Sequence, residues 1–180
     1  MPFLSLISLL IIILAFISLF TLAVVFFGSA MIYANIATRV PWARIPMANL
    51  EQIFVAINLP AGSIVYDLGC GDGRFLFLAE KKGFRAIGYE LSFYPYLKAV
   101  FARLIRGSKV EIKYQDFFKQ DLSHADAVFI FLTASVMDKI GRKLKKELRL
   151  GTRVVSYGFI IPGWPTPQIL STAPSKTYVY

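Results

Sequence analysis

The first 38 residues contain no Asp, Glu, Lys, Arg or His. A segment without charge cannot supply the outside of a water-soluble domain. From Phe3 to Phe27 nearly every residue is apolar, interrupted only by Ser5, Ser8, Ser18 and Thr21. A helix satisfies such hydroxyls on its own carbonyls. About 20 apolar residues cross the ~30 Å hydrocarbon core of a bilayer, so this run suffices with some tilt. A cleaved signal peptide needs a basic start and a shorter apolar run, and neither is present. Residues 1–38 are therefore expected to be a retained transmembrane anchor. The first charges after it are Arg39 and Arg44, which place the C-terminal side in the cytoplasm by the positive-inside rule. Trp42 between them suits a lipid interface. An organelle membrane is also compatible, although the uncharged N-terminus is no mitochondrial presequence.

Cysteine and histidine are nearly missing as well, with Cys70 and His124 the only examples. That excludes an internal disulfide and fits a reducing compartment. It also leaves too few ligands for an ordinary zinc site, so no metal is expected. All 20 Lys/Arg and all 11 Asp/Glu lie beyond residue 38, giving that part the whole net charge of +9. Such charge suits anionic lipid or nucleic acid. No RNP-like aromatic motif, zinc-finger spacing or Gly-x-x-Gly clamp occurs, so nucleic acid ranks lower.

Residues 39–62 read as a juxtamembrane connector and a helix from Met47 to Leu59, stopped by Pro60-Ala61-Gly62. Residues 63–180 alternate strand and helix. Strands are expected at 64–68, 85–90, 110–114, 126–132 and 152–158, and helices at 73–82, 93–106 and 135–149. This pattern predicts a Rossmann-like α/β domain with a mostly parallel sheet. Ser135 and Asp138 suggest a capping box for the last helix. Val136, Ile140, Leu144 and Leu148 suggest its buried stripe, and Gly151 its end. Its basic residues read as a solvated face. Four prolines after Ile161 predict irregular chain until a short sixth strand at 177–180.

The chemistry concentrates in Ile64-Val-Tyr-Asp-Leu-Gly-Cys-Gly-Asp-Gly73. A strand leads to an acid, then to Gly69, Gly71 and Gly73 opening a helix. Glycines let backbone turn sharply and approach a ligand, whose anionic or polar parts meet helix N-terminal amides. Glu90, closing the next strand, is placed to accept from ribose hydroxyls. In a dinucleotide fingerprint the third glycine comes one residue later, where this chain has the bulky Arg74. Asp67 suits an amino group better than a pyrophosphate. These details favour S-adenosylmethionine (SAM). Gln115-Asp116-Phe117-Phe118 follows the third strand, where Asp116 can accept from an adenine amino group and Phe117 can pack on the ring. A turn or helix cap by Asp116 is the plainer alternative. Asp72 reads as loop support, Cys70 as a small loop filler and His124 as a surface residue.

The segments Val65–Arg74, Gly88-Tyr89-Glu90-Leu91 and Gln115-Asp116 resemble class I, seven-strand SAM-dependent methyltransferases. With Lys81-Lys82-Gly83-Phe84, Gly163-Trp164-Pro165 and the apolar N-terminus, the chain resembles more closely a family of small membrane-anchored protein-lysine methyltransferases. That family includes mitochondrial enzymes acting on the adenine nucleotide translocase and the ATP synthase c-subunit, and archaeal relatives. The resemblance runs from about Val40 to Tyr180. It implies that Asp67, Gly69 and Gly71 line the methionine part of SAM, that Glu90 holds the ribose hydroxyls and that Asp116 meets the adenine amino group. Cys70, Gly73, Leu91 and Phe117 complete the candidate cofactor-binding set. Six strands are legible where that class has seven.

Methyl transfer from a sulfonium is an in-line displacement governed by orientation rather than by a strong base. No catalytic base is assigned. Thr133, Tyr157, Phe159 and Trp164, at or after the fourth and fifth strands, are candidate channel-wall residues and equally ordinary core or loop residues. No Asn-Pro-Pro-Tyr or Asp-Pro-Pro-Tyr occurs, which lowers nucleic-acid and glutamine amino groups as acceptors. The expected acceptor is a protein lysine. A lipid or quinone is the alternative, and a membrane-anchored SAM sensor or scaffold is the non-enzyme alternative.

Overall fold

The computed structural model describes residues 2–38, 44–173 and 175–180. The expectations for Arg39 and Trp42 lie outside the described residues. The chain forms two compact units, Met1–Arg39 and Val40–Tyr180.

The first unit is one helix, α1 (Pro2–Thr38). Its segment Leu6–Ala30 is 25 residues long with a mean hydropathy of 3.1. Thr21 Oγ1 donates to the Ile17 carbonyl at 2.8 Å, and Ser29 Oγ to the Phe26 carbonyl at 2.9 Å. These two side chains use the helix's own acceptors, which suits apolar surroundings.

The second unit opens with α2 (Met47–Ile57), whose Leu50, Ile53, Phe54 and Ile57 form a buried stripe. Its end is Asn58 in the left-handed region at φ 43°, which Asn tolerates, and Pro60 prevents continuation. Then follow β1 (Ile64–Leu68), α3 (Arg74–Lys81), β2 (Arg85–Glu90), α4 (Phe93–Arg106) and β3 (Glu111–Tyr114). A short 3-10 turn (Phe117–Lys119) leads to β4 (Ala127–Ile130), α5 (Ala134–Glu147), β5 (Arg153–Tyr157), β6 (Gln168–Thr172) and β7 (Ser175–Val179).

The seven strands lie in the order β3-β2-β1-β4-β5-β7-β6. β1 to β5 are parallel, while β7 runs antiparallel between β5 and β6. Strand order reverses beside β1, which pairs with β2 on one side and β4 on the other. Ligands of open α/β sheets bind at the carboxyl ends of the strands at such a switch point.

Two cores flank the sheet. One packs α2, α3 and Ala99 of α4 against strand residues such as Val65, Phe129 and Val155. Within it the rings of Phe54, Phe75 and Phe129 stack at centroid distances of 4.7 and 4.3 Å. The other gathers α5 residues Met137, Ile140 and Leu144 with Tyr66, Leu68, Val128 and Ile130.

Three expectations are corrected. The irregular tail contains a hairpin, because Gln168–Thr172 pairs with Ser175–Val179 and completes seven strands. The prolines at 162, 165 and 167 stop short of it, so none has to donate within the hairpin ladder. At α5 the N-cap is Thr133, without a side-chain cap bond, and Ser135 is already helical. That helix ends at Glu147, before Gly151, while Ile140 and Leu144 of its expected stripe are buried and Val136 and Leu148 pack partly buried against the same core.

Candidate active site

The strand ends bring Asp67 and Glu90 to one edge of the sheet. β1 and β2 are in register with Asp67 opposite Gly88 and Leu68 opposite Tyr89. The Gly69 and Cys70 amides both donate to the Tyr89 carbonyl at 2.9 Å, so the loop after β1 folds back over β2. Gly69 has φ 83°, and a Cβ there would lie 2.8 Å from Leu132 Cδ2. Only glycine satisfies both conditions without displacement. Gly88 performs a task that sequence reasoning left unassigned. A Cβ on it would come within 2.5 Å of Leu76 and 2.8 Å of Cys70. Close packing of helix on strand therefore depends on a glycine in β2. A glycine inside a strand was the available signal.

Arg74 turns away from the sheet. Its Nε and Nη2 donate to the two Asp72 carboxylate oxygens at 3.1 and 3.0 Å, and its Nη1 to the Ile45 carbonyl at 3.0 Å. Burial alone would raise the Asp72 carboxyl, but Arg74, with Arg44 3.9 Å away, holds it below its ordinary value. Asp72 thus supports the loop, as the sequence suggested, and ties it to the segment before α2.

Glu90 is held twice. Its Oε2 accepts from the Gly71 amide at 2.9 Å and its Oε1 from the Ser92 amide at 2.7 Å. The same carboxylate that could meet ribose hydroxyls also fixes the glycine loop. Each oxygen keeps a second lone pair for a ligand.

Asp67 differs from both. It is 3% exposed, and the charges that act on its carboxyl are the like charges of Glu90 and Asp72. Burial pushes its carboxyl well above the ordinary range, and the nearby Glu90 and Asp72 carboxylates push it further. Among the described residues no group of acids, Cys and His can hold a metal ion. A buried acid without a cation asks for one from a ligand. The amino and sulfonium groups of SAM are cationic, so the residues present fit that cofactor.

Cys70 is buried and its thiol is raised well above its usual value by burial, which makes it inert as a nucleophile. At the same strand edge Asp116 Oδ1 accepts from the Phe118 amide at 2.9 Å and caps the 3-10 turn. The turn-capping alternative is therefore realised, with Oδ2 left for another donor. Phe117 packs on Phe118 with ring centroids 4.4 Å apart, and Leu91 is exposed.

The four channel-wall candidates are not brought together. Tyr157 is buried in the α2 core, accepts from Asn49 Nδ2 at 2.9 Å and packs on Phe131. Trp164 lies in the opposite core, where its Nε1 donates to the Gly141 carbonyl at 3.1 Å. Thr133 Oγ1 pairs with Ser135 Oγ at 3.0 Å, and Phe159 is exposed. His124 is exposed.

Comparison with known proteins agrees with this geometry. The ANTKMT methyltransferase domain matches residues 67–168. The protein-lysine N-methyltransferase of Saccharolobus islandicus (strain REY15A) is 33% identical over 137 residues, 73% of this chain and 84% of that protein. The adenine nucleotide translocase lysine N-methyltransferase of Mus musculus is 32% identical over 148 residues, 79% of this chain but 63% of that protein. An RNA methyltransferase of Salinibacter ruber, crystallised with S-adenosyl-L-homocysteine, superposes with a TM-score of 0.72. It is 28% identical and covers 77% of this chain and 92% of its own. The chain belongs to the ANTKMT methyltransferase-domain family and has the class I, SAM-dependent methyltransferase fold.

Proposed function

We propose that this chain is a membrane-anchored SAM-dependent methyltransferase whose acceptor is a lysine of a membrane protein. The cofactor assignment rests on the buried Asp67, pressed by the like charges of Glu90 and Asp72, beside the Glu90-pinned glycine loop. The acceptor assignment is supported by likeness to relatives named for lysine methylation. The anchor assignment is supported by the uncharged Leu6–Ala30 helix, with residues 63–180 as the catalytic domain on the cytoplasmic side.

SAM supplies a methyl group already activated on a sulfonium. The chain's part is to bind and orient. Asp67 neutralises a ligand cation, Glu90 accepts from ribose hydroxyls, and Asp116 accepts from the adenine amino group. Gly69, Gly71 and Gly73 let the backbone come close, while Cys70, Leu91 and Phe117 supply apolar contact. A lysine acceptor must reach the site as a neutral amine, and desolvation favours that form. The anchor holds the domain beside substrates of the same bilayer and raises their effective concentration.

Full-length protein in detergent, methyl-labelled SAM and membranes from the source organism test the assignment. Label in a protein band, recovered as methyl-lysine and lost with Asp67→Ala, is expected. Label extracted into organic solvent would replace lysine by a lipid or quinone. RNA is the second reading, since the Salinibacter ruber neighbour is an RNA methyltransferase and this chain carries a net charge of +9. Nuclease-sensitive label would favour it.

A further inference from the structure

The α4 helix hides little of itself. Its buried residues are Pro95 and Ala99, while Phe93, Tyr94, Leu97, Phe101, Leu104 and Ile105 are exposed. At about 100° per residue these six fall within an arc of roughly 120°, a continuous apolar face. Their exposure ranges from 45% for Leu97 to 77% for Ile105. Single exposed apolar residues are ordinary, but six on one helical face are not. Tyr114, exposed at the end of β3, packs edge-on against Phe93 at 5.9 Å and extends the patch toward the strand ends.

Positive charge borders this face. A cavity of about 350 Å³ between α3 and α4 is lined by Arg74, Lys81, Lys98 and Arg106, with Asp72 as its one acid. Its floor includes Phe77, over which the Arg106 guanidinium sits at 4.7 Å. An apolar helical face rimmed by aromatics and bordered by cations is the signature of a helix lying in a membrane interface. The chain supplies the bilayer too. Eight residues separate α1 from α2.

We propose that α4 docks on the surface of an anionic bilayer, with its apolar face in the headgroup region and a lipid phosphate in the basic cavity. The docking rests on the reading of α1 as a bilayer anchor. It gives the domain a second attachment, so that the sheet edge bearing Asp67 and Glu90 is held near the membrane surface.

Full-length protein in nanodiscs containing phosphatidylglycerol tests this. One sample carries an environment-sensitive fluorophore at Leu104→Cys, a second at Val24→Cys and a third at Lys145→Cys on α5. Headgroup-region doxyl lipid should quench the label at 104 and spare that at 145. Lys98→Gln should lower the docked-to-undocked ratio about 5-fold, and Lys98→Gln with Arg106→Gln about 30-fold. Phe101→Glu with Ile105→Glu should abolish quenching at 104 while SAM binding persists. Quenching at 24 but not at 104 in the anionic discs would overturn the docking and leave the anchor intact. No quenching at either position would overturn the anchor reading and the docking together. A label at 104 shielded from doxyl lipid but giving energy transfer between chains would assign the face to self-association and overturn the proposal.

Discussion

Asp67→Asn should stabilise the ligand-free protein and weaken its cofactor binding. The substitution keeps the size of the side chain and removes its charge. In the wild type that charge is buried and near two other carboxylates. Removing a cost of this kind is a stabilising change, commonly about 0.5–2 kcal/mol. For a chain of this size each kcal/mol moves Tm by about 2–4 °C. Truncating one partner of a buried charge pair costs about 2–5 kcal/mol of binding. Asn retains an acceptor oxygen, so the lower end applies, and SAM should bind roughly 30- to 150-fold more weakly.

The pH dependence follows from the direction of the shift. The folded-state pKa of Asp67 lies above its ordinary value of 3.8. The native state therefore holds this proton more tightly than the unfolded state does, and the wild type loses stability as pH rises through the folded-state pKa. The advantage of Asp67→Asn should be largest at neutral pH and shrink as pH falls toward 3.8. Differential scanning fluorimetry of the full chain in detergent across pH, paired with titration calorimetry against SAM, measures both halves. Unchanged SAM affinity, or a variant less stable than wild type at pH 7, would refute the reasoning.

Other perturbations follow from the same contacts. Phe75→Ala removes the middle ring of the Phe54–Phe75–Phe129 stack and should cost about 3–5 kcal/mol, read as an early melting transition. Gly88→Ala drives a methyl group into Leu76 and Cys70, and should cost about 1–3 kcal/mol with a concurrent loss of SAM affinity, read by calorimetry. Arg74→Ala breaks the charged hydrogen bonds to Asp72 and the bond to Ile45, and should destabilise by about 1.5–3 kcal/mol at pH 7. Because the Asp72 carboxyl is held below its ordinary value of 3.8, that stabilisation is present above 3.8 and lost as pH falls through the lower folded-state pKa. Melting curves of wild type and Arg74→Ala should therefore converge in acid.

The strands and helices that carry the site were legible because their period is local. β1, β2 and α4 fall where alternation, apolar periodicity and the flanking glycines put them. The 168–172 strand was not legible. Gln-Ile-Leu-Ser-Thr follows three prolines and shows no alternation, so only its pairing with 175–179 identifies it. Among site residues, the placement of Asp67 and Glu90 at one sheet edge was legible because position along a strand alone sets it. The tasks of Glu90 on Gly71 and of Gly88 against Leu76 were not, since both arise from segments that sequence separates and the sheet joins. Tyr157 and Trp164 look alike as aromatics after strands, yet the sheet sends them to opposite cores.

The three carboxylates in and beside the glycine loop have different surroundings, and the difference bears on the binding role proposed for Asp67. Asp72 has Arg74 and Glu90 has two backbone amides, whereas the charges acting on Asp67 are the like charges of the other two. Pairing Asp67 with an arginine would stabilise the empty site and leave less to gain from the cofactor. Its partner can be either cation of SAM, and the two choices differ in consequence. The amino group survives methyl transfer with its charge, whereas the sulfonium becomes a neutral thioether. If Asp67 meets the amino group, it holds cofactor and product alike, which is uniform binding that leaves the chemical step untouched. Asp67→Asn should then weaken SAM and S-adenosylhomocysteine by the same factor and raise KM with little change in kcat. If it meets the sulfonium, the loss should fall on SAM alone. The first outcome is the expected one, because a carboxylate is better matched to an amino group, which can donate to it, than to a sulfonium, which cannot.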